Sequence, residues 1–593
     1  MSEQRNCQAC KREFTIEPED FDFYAKIAVP PPTWCPECRM RRRMVFDNLH
    51  CIYKRKCDAT GKEIFSAYRA DSPWKIFSND YYWSDNWGAL SYGREVDFSR
   101  PFLEQVKELS LEVPTYATST LDMENSDYCH NARHMKNCYL VFGATECERC
   151  YYSSTIIQST DCMDCFHCYE SELCYESIFL VGCYNVSFSY WCNDSTNVAF
   201  SRRLANCSDC FGCMNLKNKR FHFFNEPLSE EEYKKRIAPY MSGSREKIAE
   251  AWKLVNEFYK KFPVRYSDQN ESENCTGEYI GHSKDSKDIY QTDGAERSRY
   301  IQLTTARPGP KECYDYSRFG ENAELVYECS SSGINIYNLK FSASTYNHVN
   351  DSEYVMRCHT SSDLFGCVGV RNKRFCILNK EYPEAEYREL VTKIKKHMDD
   401  LPYRDAQGRE YRYGEFFPAE FSPFSYNETL ANDFFPVGKE QVLKEGFAWA
   451  EPEARSIPGA TSARELPDKI SDVEDAMTTV VVQCEHEGTC ACGCTKYFKI
   501  LPQELDYYRR NSLPLPTLCF SCRHLARVQK TNPIKFYDSV CACAGSGSED
   551  GRYENRATHQ HGTGKCGAKF KTASVPEKKE IVYCEDCYRE EIA

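Results

Sequence analysis

Short apolar runs separated by polar turns dominate residues 128–225, where CYLVF, YYSSTII and ESIFLV alternate with clusters of Asn, Asp and Ser. Thirteen of the chain's 36 cysteines fall there: Cys129, Cys138, Cys147, Cys150, Cys162, Cys165, Cys168, Cys174, Cys183, Cys192, Cys207, Cys210 and Cys213. The tripeptides beginning at Asn137, Asp161, Gly182 and Asn206 place anchor cysteines at steps of 162−138 = 24, 183−162 = 21 and 207−183 = 24. A period in the low twenties, built from short β-like runs, predicts a solenoid, because each coil buries its inward face only against its neighbours. The stretch reads as a right-handed parallel β-helix with cysteine and aromatic ladders.

The pattern returns. DCFGCMNLKNKRF from Asp209 matches DLFGCVGVRNKRF from Asp363 at an offset of 365−211 = 154. A second solenoid is therefore expected over residues 267–380. It keeps tyrosines (Tyr290, Tyr314, Tyr327, Tyr337, Tyr354) but replaces most cysteines with serine, threonine and apolar residues. Obligate ligands would persist in a copy, so the central cysteines read as small ladder fillers. Helical spacing marks residues 229–266 and 381–400. The aromatic stretch within 63–125 reads as a cap sealing the first open coil, since solenoid ends must be covered. Residues 401–478 read as a strap and linker.

Two CxxC pairs, Cys7/Cys10 and Cys35/Cys38, lie in residues 1–62, with a step of 35−10 = 25 from the first pair to the second. Two such knuckles supply the four thiolates of a closed tetrahedral zinc site. Adding 484 aligns Cys10, Phe14, Tyr24, Cys35, Cys38 and Arg39 with Cys494, Phe498, Tyr508, Cys519, Cys522 and Arg523, so residues 479–537 form a second module. Its first knuckle departs at Ala491, leaving Cys492 or Cys490 as the fourth ligand beside Cys494, Cys519 and Cys522, with Cys492 preferred. In residues 538–593, Cys543, Cys566, Cys584 and Cys587 make a third set, with the roles of Cys541, His559 and His561 open. About three structural zinc ions are expected.

Composition adds two constraints. The formal charge is −13, and neither a signal-peptide core nor an apolar run of membrane-spanning length is present. Abundant cysteine without a secretion signal fits a cytoplasmic metal-binding chain better than a disulfide-stapled one. Against the acidic total, residues 39–56 carry Arg39, Arg41, Arg42, Arg43, Lys54, Arg55 and Lys56 with one acid, Asp47. Interleaved with Phe46, His50 and Tyr53, this run is a candidate contact for RNA or a ribonucleoprotein.

The motif CxxC-K-x-E-F through PPP-x-x-C-x-x-C-R, residues 7–39, resembles the probable zinc-ribbon domain of small bacterial proteins. With YKRKCDATGKEI, YYWSDNW, YGEFFPAEFSPFSYNET and HQHGTGKCGAKF, the whole chain resembles large cysteine-rich, uncharacterised zinc-ribbon proteins of candidate-phyla-radiation bacteria. That resemblance implies no activity.

No GxxxxGK[ST], GxSxG, HExxH or deaminase PCxxC pattern occurs. The expected protein is mainly β: tandem parallel β-helix-like solenoids with short helices, flanked by small treble-clef or zinc-ribbon modules. Its expected role is a non-enzymatic zinc-binding scaffold touching RNA or a ribonucleoprotein. The alternatives are a protein–protein adaptor and a solenoid hydrolase using aspartates such as Asp285, Asp288, Asp293 and Asp315.

Overall fold

A three-residue rhythm builds the first solenoid in the computed structural model, which describes residues 2–305, 308–451, 456–490 and 493–592. Asn185, Phe188, Trp191, Asp194 and Asn197 all adopt left-handed backbone, with φ between 47° and 55°. The residue after each (Val186, Ser189, Cys192, Ser195, Val198) is at most 1% exposed. Each left-handed residue makes a corner, the next points inward and the third outward. Strand register gives the coil length. Ser154 pairs in parallel with Phe142 and Phe166, and Phe166 with Ile178, so the numbering advances by 154−142 = 12 per coil. One coil is thus four sides of three residues.

This corrects the period read from the sequence. A step of 24 is two coils, whereas 21 is seven corners, which puts Cys183 on a different side from Cys162. The same geometry explains the cysteines. Each side carries one inward side chain: apolar residues such as Ile156, Leu180 and Leu204 take some of these places, and at most of the others a cysteine or serine also serves the backbone with its polar atom. Cys138 Sγ donates to the carbonyls of Lys136 and Cys147, both at 3.4 Å. Ser153 Oγ donates to Tyr151 O at 2.9 Å and accepts from Cys165 N, one coil on, at 3.0 Å. Serine and cysteine are interchangeable here because both satisfy corner groups that water cannot reach.

Left-handed backbone costs a non-glycine residue about 1–2 kcal/mol, least for Asn and Asp. These two recur at corners and bond to their equivalents one coil away: Asn185 to Asn197 (2.9 Å), Asn197 to Asp209 (3.1 Å) and Asn206 to Asn218 (2.6 Å). The second solenoid follows the same plan with less even coils. Its 11 strands among the described residues pair in parallel until the closing hairpin, and the step per coil runs from 280−269 = 11 through 317−302 = 15 and 340−327 = 13 back to 374−362 = 12.

The chain divides into two compact units, Met1–Thr118 with Asp268–Ala450, and Ser119–Ser267 with Glu451–Ala593. The N-terminal cysteine module therefore belongs with the second solenoid, and both C-terminal modules belong with the first. The aromatic segment likewise packs on the second solenoid, whose unit it shares. Trp83 stands edge-on to His359 with ring centroids 4.9 Å apart, and Phe102 lies 5.4 Å from Phe365. Arg371 faces Tyr82, Trp83 and Trp87. Among the described residues no helix is long and apolar enough to cross a membrane.

Burial, reinforced by Arg371, holds the His359 imidazole down at about 4. The unfolded ring titrates near 6.5, so unfolding takes up a proton between these values. The ring's contribution is present above pH 6.5 and is lost as pH falls toward 4. Between pH 7 and pH 5 this amounts to about 2 kcal/mol. Urea unfolding of the protein and of His359→Phe at both pH values should show the wild type losing that much more than the variant. Parallel losses would refute the assignment.

Candidate metal centres

In the N-terminal module, helix α1 spans Pro18–Lys26 and helix α2 spans Pro36–Met44. Each has proline at its first position, where a missing N–H costs nothing. Cys35 is the N-cap of α2 and Cys38 lies in its first turn, so the helix starts on the cysteine knuckle. Cys7, Cys10, Cys35 and Cys38 form a tetrad whose sulfurs all lie within 4.8 Å of one another, with Cys10 and Cys35 3.8 Å apart. A metal ion with bonds of about 2.3 Å to four tetrahedral sulfurs sets neighbouring sulfurs about 3.8 Å apart. The tetrad fits such an ion, and all four predicted residues are in place.

The second module repeats this with helices α3 (Pro502–Arg510) and α4 (Phe520–Val528), the latter N-capped by Cys519. Its tetrad is Cys484, Cys494, Cys519 and Cys522. Cys519 lies 3.7 Å from Cys494 and 3.5 Å from Cys522, and Cys484 lies 3.8 Å from Cys522. The fourth donor is thus Cys484, and the preferred Cys492 lies outside the described residues. Backbone bonds explain the shift. Cys7 N donates to Arg12 O, and Cys484 N donates to Lys496 O, where 496−12 = 484. Cys484 holds the structural place of Cys7 while sitting early in the numbering, by 491−484 = 7, because the second knuckle is longer. The runner-up Cys490 stands 3.6 Å from Cys522 and forms a three-donor group with Cys522 and His486.

The third tetrad is Cys541, Cys566, Cys584 and Cys587, with Cys566 and Cys584 3.9 Å apart. Cys541 takes the place expected for Cys543. The CxC spacing offered both, and strand pairing decides, because Cys541 N bonds to Ala568 O while Cys584 N donates to Cys541 Sγ at 3.3 Å. In the first two tetrads neighbouring S–H groups pull one thiol far down: Cys35 and Cys38 act on Cys7, and Cys484, Cys494 and Cys522 act on Cys519.

The basic run does something other than face solvent. Arg39, Arg42 and Arg43 on α2 are at most 1% exposed. Arg39 meets Asp315 at 2.8 Å, Arg43 meets Asp315 at 3.0 Å and Glu328 at 2.9 Å, and Arg42 meets Glu328 at 2.8 Å and Glu415 at 3.1 Å. Burial raises the Glu328 carboxyl against the pull of Arg42 and Arg43. These three arginines are committed to the protein's own carboxylates, which corrects their reading as a phosphate-facing surface. Arg55 is also buried, bonded to Asp58 and to Arg69 O, and Arg41 pairs with Glu445 at 2.6 Å. Lys54, paired with Glu63, and Lys56 stay exposed.

The second module makes the same interface with the first solenoid. Arg523 and Arg527 meet Asp164 at 3.0 and 2.9 Å, and Arg527 also meets Glu176 at 3.1 Å. Asp164 and Glu176 are left-handed corners one coil apart, as are Asp315 and Glu328. The next corner down is a tyrosine in each, Tyr152 or Tyr300, lying under Arg523 at 4.7 Å or Arg39 at 5.4 Å. Tyr152 donates to Glu504 at 2.8 Å and Tyr300 to Asp20 at 3.4 Å, and each of those acids also accepts the N-cap N–H of its own helix. Arg39/Arg523, Arg43/Arg527 and Asp20/Glu504 all keep the offset that relates the two modules, 523−39 = 527−43 = 504−20 = 484.

No protein-family model matches the chain, and no curated protein sequence matches it. Its chemistry is therefore read from its own residues. The aspartates considered for a solenoid hydrolase are all engaged. Asp285 accepts from Asn274, Asp288 pairs with Arg299, Asp293 bonds to His282, and Asp315 is buried under the arginines.

Proposed function

We propose that the protein is a non-enzymatic, zinc-binding scaffold in which each ribbon fastens itself to a β-solenoid. The observation that carries this reading is the helix that begins on a cysteine tetrad and ends with its arginines buried in carboxylates of the solenoid. Four thiolates close each tetrad and leave no position for substrate. Zinc would fix the knuckle, the knuckle would fix the helix, and the helix would deliver the arginines. The ribbon residues at a constant offset support descent of the two modules from one duplicated ribbon, each docked on a like ladder of solenoid corners.

Purified protein should carry zinc, and stripping it with a chelator should free both ribbons while solenoid strands such as Phe142–Glu148 keep their hydrogen-exchange protection. Metal-free protein with fully protected cysteine modules would overturn the reading.

Contact with RNA, as part of this proposal, moves to a different surface. A cleft of about 440 Å³ beside the first tetrad is lined by Lys11, Lys444, Arg41, Arg409, Glu445 and Phe447, with Arg41 paired to Glu445 and Arg409 to Asp405. The two lysines, beside the half-buried Phe447, suit a phosphate backbone with a stacked base. Crosslinked RNA recovered from the native protein should diminish in the Lys11→Glu/Lys444→Glu variant. Equal recovery from both would remove the cleft from consideration, and a co-purifying protein without RNA would favour the adaptor.

A further inference from the structure

Beside the third tetrad stands another donor group that shares one of its residues. Cys543, His559 and His561 gather with Cys587 so that all four donor atoms lie within 4.8 Å of one another. Cys543 Sγ is 3.1 Å from His559 Nδ1 and 3.4 Å from His561 Nε2. Cys587 Sγ is 3.3 Å from His561 Nε2. Around an ion with metal–sulfur and metal–nitrogen bonds of about 2.3 and 2.0 Å, a tetrahedral sulfur–nitrogen edge is about 3.5 Å.

The surrounding hydrogen bonds decide which ring nitrogens carry protons. His559 Nε2 faces Glu591 Oε1 at 2.9 Å. That carboxylate also receives the N–H groups of Arg556 and Ala557 and the hydroxyl of Tyr553, so it accepts and the ring donates. His561 Nδ1 lies 2.9 Å from Gly564 O, which can only accept. As neutral rings, both imidazoles therefore turn an unprotonated nitrogen toward Cys543. The Cys543 sulfur also receives N–H groups from Asn555 at 3.2 Å and Gly545 at 3.4 Å. One thiol proton can serve only one of two facing lone pairs, and a thiolate would repel both. A cation between them satisfies all three. Anchoring the far nitrogen on a carboxylate or carbonyl is how metal-ligating imidazoles are oriented.

We propose that the third cysteine module holds a binuclear centre in which Cys587 bridges two divalent ions. One ion takes Cys541, Cys566 and Cys584, and the other takes Cys543, His559 and His561. This rests on the reading of the tetrads as zinc sites. Charge supports the second ion: one ion in four thiolates carries 2−4 = −2, whereas two ions with five thiolates carry 4−5 = −1, which is less costly to bury. Both ions are closed in by protein donors, so the centre is structural.

Metal content of the full chain tests it. His559→Ala and Cys541→Ser should each lower zinc by one ion per chain and together by two. A single-ion module would respond to one of these changes only, which would overturn the bridge. Cobalt(II) needs no variant to speak. A thiolate-bridged cobalt pair couples magnetically, so the fully loaded wild type should show fewer paramagnetic spins than bound ions, and His559→Ala should restore one visible ion. Every bound cobalt visible in the wild type would refute the bridge while leaving the scaffold reading intact. Protein that binds neither metal would remove both.

Discussion

Changing Asp164 to asparagine should destabilise its unit by on the order of 3–5 kcal/mol, because breaking a buried ion pair leaves uncompensated charge behind. Asp164 is fully buried and answers two cations, Arg523 and Arg527, whose side chains are 6% and 1% exposed. Glu176 and the Tyr152 carbonyl would remain for Arg527. The urea midpoint should fall well below wild type, and the loss should first appear as exchange in α4. Adding Arg523→Met and Arg527→Met should recover much of it, since apolar side chains of similar length remove the stranded charges. Unchanged midpoints for Asp164→Asn would mean that the arginines are hydrated and the interface is not the fastener described above. Glu328→Gln should act alike on the other unit, where three arginines converge.

An equally large effect is expected inside the coil. Cys165 lies between Ser153 and Ser177 in one column, each one coil away. Cys165→Ser should stay within about 1 kcal/mol of wild type, since the hydroxyl takes over the weak donation to Met163 O. Cys165→Phe should cost more than about 3 kcal/mol, the upper range of overpacking, because a three-residue side cannot widen around a ring without breaking the strands above and below. Thermal unfolding of both variants checks this. A phenylalanine tolerated as well as serine would show that the inward faces are looser than the register implies.

Much of this was legible in the sequence, and the failures have physical causes. Alternating apolar runs and polar turns identified the solenoids, because inward and outward positions differ in chemistry. The coil length stayed hidden because Cys138 and Cys162 repeat at two coils while the coil between them carries Cys150 in a differently worded context. Paired knuckles gave Cys7, Cys10, Cys35 and Cys38 outright. Cys484 escaped because an offset alignment cannot see a lengthened knuckle, and Cys541 because a CxC offers two thiols with no local reason to choose. The arginine run was misread for another reason. Its partners Asp315 and Glu328 are ordinary acids, 272 and 285 residues along the chain from Arg43, and only the fold brings them beneath α2.

That separation gives the two units opposite histories during synthesis. Arg42 is made 286 residues before its partner Glu328. At roughly 5–20 residues per second this is on the order of 15–60 s, during which α2 carries its arginines uncovered on the ribosome. In the other unit the acids Asp164 and Glu176 come first and wait 363 residues, counted from Asp164, for Arg527. One unit thus passes through an exposed cationic stage and the other through an exposed anionic one. A nascent chain stalled between the two solenoids would present both unfinished halves of the molecule together, one positive and one negative, each lacking the partner it is built to meet.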